Sequence, residues 1–245
     1  MHPLLNIAVR AARRAGEIIV RSLVRLESLE VTSKGRNDYV SEIDRAAERE
    51  IIDIVRKHYP EHAILAEESG RSGEHDTVWI IDPLDGTNEF GEQGRDDWAV
   101  HVALVQEGRL AAGAVALPAL GRTFSTRSAR MVQPPTRRLR VAVSRSRPPR
   151  EAQVLVDRLD AELCAMGSAG AKAMTVVSGT VDAYVHSGGQ YEWDSAAPVA
   201  VATAAGLHAS RLDGSELEYN KPSPWLPDLL ICREELRAPI LAALA

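Results

Sequence analysis

The chain has 245 residues, of which 45% are apolar and 26% charged, with a net charge of −5 and a pI near 5.8. That is the balance of an ordinary globular protein with enough chain for one large domain or two closely packed ones. It argues against binding of nucleic acid polymers, which favours a basic footprint, although an acidic protein can bind phosphate where cations invert the local field.

Residues 3–29 carry Leu4, Ile7, Ala8, Ala11, Ala15, Ile18, Ile19 and Ser22 at helical spacing, with Arg10, Arg13, Arg14 and Arg21 on a solvated opposite face. No charged-then-apolar signal peptide pattern is expected in this stretch. A second helix is predicted over residues 41–58, with Ile43, Ala47, Ile51 and Ile54 inward and Pro60 beyond its end, which puts Asp44 in the first turn. Strand-like runs follow at 63–66, 78–81, 98–105, 112–117 and 123–125, with Glu107-Gly108 as a tight hairpin turn. Short strands without helices between them predict an antiparallel sheet packed on the two helices. Residues 128–138, rich in Pro, Arg and Thr, read as a linker, giving halves of 1–127 and 139–245. In the second half, strands at 139–144, near 163, at 183–186, 207–210 and 229–232 alternate with helices at 150–159, 169–178 and 193–205, a mixed α/β pattern. The longest apolar run, 196–206, is too short to span a bilayer, so no membrane partner is expected. Cys164 and Cys232 are too few and too far apart for a disulfide framework or a CxxC zinc site, which fits a reducing cytoplasm.

The most informative segment is Trp79-Ile80-Ile81-Asp82-Pro83-Leu84-Asp85-Gly86-Thr87-Asn88-Glu89-Phe90. An apolar strand delivers two carboxylates, the kind of oxygen ligand that hard divalent cations need. Pro83 stiffens the turn between them, and Gly86 lets backbone N–H groups approach a phosphate. Alone, this pattern is equally well a surface turn, since Asp-Pro and Asp-Gly are common turn pairs. Three further acidic motifs decide the matter: Asp38-Tyr39-Val40-Ser41-Glu42-Ile43-Asp44, Ala66-Glu67-Glu68-Ser69 and Glu192-Trp193-Asp194-Ser195-Ala196-Ala197.

Together these four motifs resemble the inositol monophosphatase superfamily of magnesium-dependent, lithium-sensitive phosphomonoesterases, over nearly the whole chain. The resemblance implies a layered αβαβα sandwich, α/β in class, with the site between two halves. It implies that Glu67, Asp82 and the Leu84 carbonyl hold one Mg2+ and that Asp82, Asp85 and Asp194 hold a second. Asp38 would help Glu67 with a third and weaker ion. Asp44 and Thr87 would orient and deprotonate the attacking water, and Gly86 and Thr87 would offer N–H groups to phosphate. Ser168, at the entry to a helix, matches a hydroxyl that favours an anion, whereas Lys34 is equally well a surface lysine. Trp193 reads as a core residue anchoring Asp194, and the scattered histidines receive no role. Relatives are often homodimers.

Phosphatases of the haloacid dehalogenase type also place Asp-Gly-Thr after a strand, but with one residue between their aspartates, and they have no use for Glu67-Glu68 or Trp193-Asp194. They are excluded. Asn88-Glu89-Phe90, Leu217-Glu218-Tyr219-Asn220-Lys221 and Lys172 are most similar to the bacterial 3′(2′),5′-bisphosphate nucleotidases of the CysQ type, which makes Lys172, Asn220 and Lys221 substrate-binding candidates. The region after Lys221, Pro222-Ser223-Pro224-Trp225, departs from that pattern. The implied reaction removes the 3′-phosphate of adenosine 3′,5′-bisphosphate, and of its 5′-phosphosulfate, clearing a by-product of sulfate assimilation. Inositol 1-phosphate or fructose 1,6-bisphosphate hydrolysis is the alternative, and a non-catalytic metal-dependent phosphate sensor is the reading from another class.

Overall fold

The computed structural model describes residues 3–28, 33–132 and 138–245, with side chains described from residue 40 onward and over 3–23. Two long helices, α1 (Pro3–Ser28) and α2 (Ser33–His58), open the chain. A six-stranded sheet follows, built from β1 (Ala63–Ala66), β2 (Gly70–Ser72), β3 (Thr77–Asp85), β4 (Ala99–Gln106), β5 (Arg109–Leu117) and β6 (Arg122–Ser125), in the order β2-β1-β3-β4-β5-β6. The short helix α3 (Thr87–Gly91) lies between β3 and β4. The second sheet contains β7 (Arg140–Ser144), β8 (Glu162–Met166), β9 (Ala183–Tyr191), β10 (His208–Ser210) and β11 (Trp225–Cys232), ordered β10-β11-β9-β7-β8. Its helices are α4 (Arg150–Leu159), α5 (Ala169–Val177), α6 (Glu192–Ala204) and α7 (Glu234–Leu244).

Strand alternation sorts the apolar side chains into three cores. Trp79 and Ile81 of β3 pack with Ala8, Ala15, Ile51 and Val55 of α1 and α2. Val78 and Ile80 face the other way, joining Ala173 and Met174 of α5, Ala196 and Val201 of α6, and Tyr184 and Ile231 of the second sheet. Val141, Val185 and Leu230 point outward to Leu155 of α4 and Ile240 of α7. The result is five layers, helices–sheet–helices–sheet–helices, as the sequence resemblance implied. The strands divide between the sheets at residues 126–139, while α5 and α6 bury against both sheets.

The structure departs from the sequence reading at several points, the edge strand β2 among them. The first sheet is mixed: β1 and β3 are parallel, because the chain between them runs out and back through the edge strand β2. Helix α2 begins at Ser33 rather than residue 41, since nothing between Ser33 and Val40 forbids helix, so Asp44 sits in the helix interior instead of its first turn. The sequence reading also passes over α3 and α7, the latter carrying Pro239 within it. Part of the expected linker, residues 133–137, lies outside the described residues. The Glu107-Gly108 turn has positive φ at both residues (50° and 76°), as a tight two-residue hairpin requires.

Helix α6 lies against β4 and β5 through small residues. A Cβ on Gly113 of β5 would stand 2.8 Å from Ala200 Cβ and 3.0 Å from the Ala197 carbonyl oxygen. This seat fixes where the first turn of α6, and so Asp194, enters the site. Gly113→Val should therefore destabilise the fold by about 1–3 kcal/mol through overpacking, measured by urea unfolding. A wild-type unfolding midpoint in the variant would show that the close seat is dispensable.

Candidate active site

Strand β3 is buried along its whole length and ends in the acidic turn. In a regular strand, residues three apart point to opposite faces. Here the β3–β4 register shifts between Asp82 and Asp85, around Pro83, and the two carboxylates meet on one side. Asp82 Oδ1 accepts the Leu84 N–H at 3.1 Å, and the Thr87 hydroxyl donates to the Leu84 carbonyl at 3.1 Å. Gly86 has φ 92°, and a Cβ there would lie 3.2 Å from the Asp97 carbonyl oxygen, Ser168 Cβ and Trp98 Cβ. Only glycine meets both demands without strain.

Carboxylate oxygens of Asp82, Asp85 and Asp194 lie within 4.8 Å of one another. Asp194 comes from the first turn of α6, where its Oδ2 accepts the Tyr191 N–H at 2.6 Å. Glu67, following β1, is hydrogen-bonded to Asp82. Burial, opposed by the Asp82 hydrogen bond and aided by the charges of Asp194, Asp85 and Glu68, raises the pKa of Glu67, and burial with the charges of Glu67, Asp85 and Asp194 raises that of Asp82. Burial and the Asp85 charge push Asp194 up to about 6. Asp44, only 4% exposed, is raised to about 8 by burial and by Glu67, Glu68 and Glu48, and its Oδ1 has no hydrogen-bond partner. Carboxylates gathered this closely, with an unsatisfied buried oxygen nearby, form an all-oxygen donor set suited to a hard divalent cation.

Asp85 departs from the group. Burial opposes its ionisation, but His101, Lys172 and the Ser168 hydroxyl outweigh burial and hold its pKa below the usual carboxylate range. His101, fully buried on β4, donates from Nδ1 to the Trp193 carbonyl at 3.0 Å and places Nε2 3.2 Å from Asp85 Oδ2. Burial favours neutral imidazole, yet the Asp85 charge prevails and raises the His101 pKa. The Ser168 hydroxyl donates to Asp85 Oδ2 at 2.5 Å, and the Gly170 N–H reaches the same oxygen at 2.7 Å. Ser168 Oγ also accepts the Ala171 N–H and so caps α5. Sequence reasoning gave His101 no role, because its partners come from β3 and α6 and leave no local spacing to read.

Beside this cluster opens a cleft of about 390 Å³, whose lining includes Glu67, Asp85, Gly86, Thr87, Ser168, Lys172 and Asp194. Lys172 is buried and donates to the carbonyls of Gly167 and Ser168 at 3.0 and 2.7 Å, so it holds the turn that holds Asp85. Asn220 and Lys221 do not line the cleft. Their N–H groups bind the two carboxylate oxygens of the fully buried Glu192, Asn220 Oδ1 accepts from Arg71, and the Lys221 ammonium pairs with Glu218. Trp193 packs against the central core and also reaches the cleft wall. The side chains of Lys34 and Asp38, in the first turns of α2, lie outside the described residues. The segment Ser144-Arg145-Ser146-Arg147, unremarked in the sequence, borders the cleft through Ser144, Ser146 and Arg147. Arg145 binds Glu89 and Glu92 of the α3 region, and Arg147 lines the opening.

The sequence and this geometry match known proteins. The chain is 48% identical over 216 residues to the 3′-phosphoadenosine 5′-phosphate phosphatase of Mycobacterium bovis, covering 82% of this chain and 80% of that one. It is 39% identical over 241 residues to Nus factor SuhB of Pseudomonas aeruginosa, covering 88% of each. The solved inositol monophosphatase of Anabaena (Nostoc) superposes with a TM-score of 0.77 at 26% identity, over 98% of this chain and 94% of that one. The profile of the inositol monophosphatase family matches residues 1–243, and the chain belongs to that family.

Proposed function

We propose that this enzyme is a magnesium-dependent 3′(2′),5′-bisphosphate nucleotidase that removes the 3′-phosphate of adenosine 3′,5′-bisphosphate, and of its 5′-phosphosulfate, in the cytoplasm. The observation that carries the chemistry is the meeting of Asp82, Asp85 and Asp194 beside the Gly86-Thr87 turn. The nucleotide substrate is supported by the 48% identity to a protein of that named activity. No described helix is long and apolar enough to cross a membrane.

Glu67, Asp82, Asp85, Asp194 and the Leu84 carbonyl would hold the metal. Magnesium, when bound there, supplies neutralisation of the phosphate dianion and acidifies coordinated water. The chain's own groups do the rest. Gly86 and Thr87 turn their N–H groups to the phosphate oxygens, with α3 opening behind them. Asp44 and the Thr87 hydroxyl orient the attacking water, and the Asp44 carboxylate accepts its proton. As the water oxygen bonds to phosphorus, the 3′-oxygen leaves and takes up a proton. Inorganic phosphate and adenosine 5′-phosphate result.

The likeness to the Anabaena inositol monophosphatase favours a second reading, hydrolysis of inositol 1-phosphate, and the same core would serve fructose 1,6-bisphosphate. The experiment is a comparison of kcat/KM on adenosine 3′,5′-bisphosphate, 3′-AMP, inositol 1-phosphate and fructose 1,6-bisphosphate. The bisphosphate nucleotide should lead. Equal efficiency on all four would reduce the enzyme to a broad phosphatase, an inositol phosphate preference would establish the second reading, and no turnover with magnesium would leave a phosphate sensor.

Asp82→Asn should abolish turnover while leaving the fold intact, because Asp82 is shared by both proposed metal positions. Retained kcat in that variant would refute the ligand set.

Metal removal should also show in stability. Because Asp194 and Asp44 bind protons more tightly when folded, these two groups hold more protons in the folded than in the unfolded chain between the ordinary carboxylate pKa of 3.8 and about 8. The stability of the chelated protein should fall as pH rises across that window, and added magnesium should raise Tm most at its upper end. A chelated Tm that climbs from pH 5 to pH 8 would contradict this.

A further inference from the structure

The described cations lining the cleft are Lys172 and Arg147, set against Glu67, Asp85, Glu89 and Asp194. Only one of the two is free to meet a ligand. The Lys172 ammonium is buried and spends two of its three N–H bonds on the Gly167 and Ser168 carbonyls, with its charge over the Tyr184 ring. Arg147 is exposed, and among the described residues its guanidinium has no hydrogen bond or ion pair; its backbone N–H alone is engaged, by Ser144 Oγ at 3.2 Å. The segment that carries it is nonetheless fixed. Two positions earlier, Arg145 is clamped to Glu89 and Glu92, and its N–H binds the Met166 carbonyl at 3.0 Å. Ser144 and Ser146, whose hydroxyls lie 3.3 Å apart, line the cleft on the same segment.

A bisphosphate nucleotide brings two dianions to a cleft whose protein wall is acidic. Cations held by the carboxylate cluster would neutralise the phosphate that is cleaved. The second phosphate needs a cation of its own, away from that cluster, on a segment that does not yield. An unpaired guanidinium binds phosphate through two parallel N–H bonds, which a mobile ammonium does not reproduce.

We propose that Arg147 binds the second, uncleaved phosphate of the substrate and thereby sets the preference for bisphosphate nucleotides. This rests on the nucleotide reading above, and it takes that role away from Asn220 and Lys221, whose groups are engaged outside the cleft.

The test measures kcat/KM on adenosine 3′,5′-bisphosphate and on 3′-AMP, which lacks the 5′-phosphate, for the wild type, Arg147→Ala and Arg147→Lys. The wild type should prefer the bisphosphate, and Arg147→Ala should lower that preference ratio about ten- to a hundred-fold, mainly by raising KM for the bisphosphate. Arg147→Lys should keep an intermediate ratio, because the charge stays and the fork is lost. A wild-type ratio in Arg147→Ala, or an equal loss on both substrates, overturns the assignment while the nucleotide reading stands. A wild type without bisphosphate preference overturns the nucleotide reading itself.

Discussion

The structure is organised around a repulsion. Asp82 and Asp85 at the end of β3 are buried, the half-buried Asp194 from the start of α6 meets them there, and Glu67 from the turn after β1 stands at the exposed edge of the cluster. Charge gathered in this way is costly unless it is paired, protonated or joined by cations. The chain answers in two ways. Around Asp85 it supplies His101, Lys172, the Ser168 hydroxyl and the Gly170 N–H, so this carboxylate is ionised before any metal arrives. Around Asp82, Glu67 and Asp44 burial and neighbouring carboxylates outweigh the few favourable contacts, such as the Leu84 N–H on Asp82, and their pKa values rise. One carboxylate is anchored and charged; the others are held in readiness for a cation.

The glycines and small residues of the middle layer follow from that arrangement. His101 can reach Asp85 only because position 170 has no side chain: a Cβ there would fall 2.1 Å from His101 Nε2. A Cβ on Gly167 would collide with Glu89, the residue that Arg145 clamps. Gly113 admits α6 to the sheet and so delivers Asp194. The close approach of α5 and α6 to the first sheet is thus one packing problem with the metal site. Larger residues in this layer would push the second-half ligand away from the two on β3. The alanines that line α6 belong to the chemistry as much as to the core.

How far the sequence discloses this depends on how local the signal is. Asp82 and Asp85 are legible because strand, proline and glycine stand side by side in one segment, and the helix over Arg150–Leu159 coincides with its amphipathic pattern. Asp44 and Asp194 are legible as residues, although the early start of α2 puts Asp44 in a different part of its helix. His101 is not legible, since an isolated histidine in an apolar strand gains its meaning from Asp85 and the Trp193 carbonyl, both distant in sequence. Asn220 and Lys221 stand apart from the cleft. Their backbone N–H groups bind the Glu192 carboxylate and hold this loop in place.

Recognition and catalysis are accordingly carried by different kinds of structure. The carboxylates stand on rigid elements inside the central layers, where displacement of one would cost packing as well as charge. The free guanidinium stands on the short segment after β7, which Arg145 ties to Glu89 and Glu92. Resemblance across the whole chain locates the chemistry of this family, whereas substrate choice has to be sought at the rim, in side chains whose charge the fold leaves unspent.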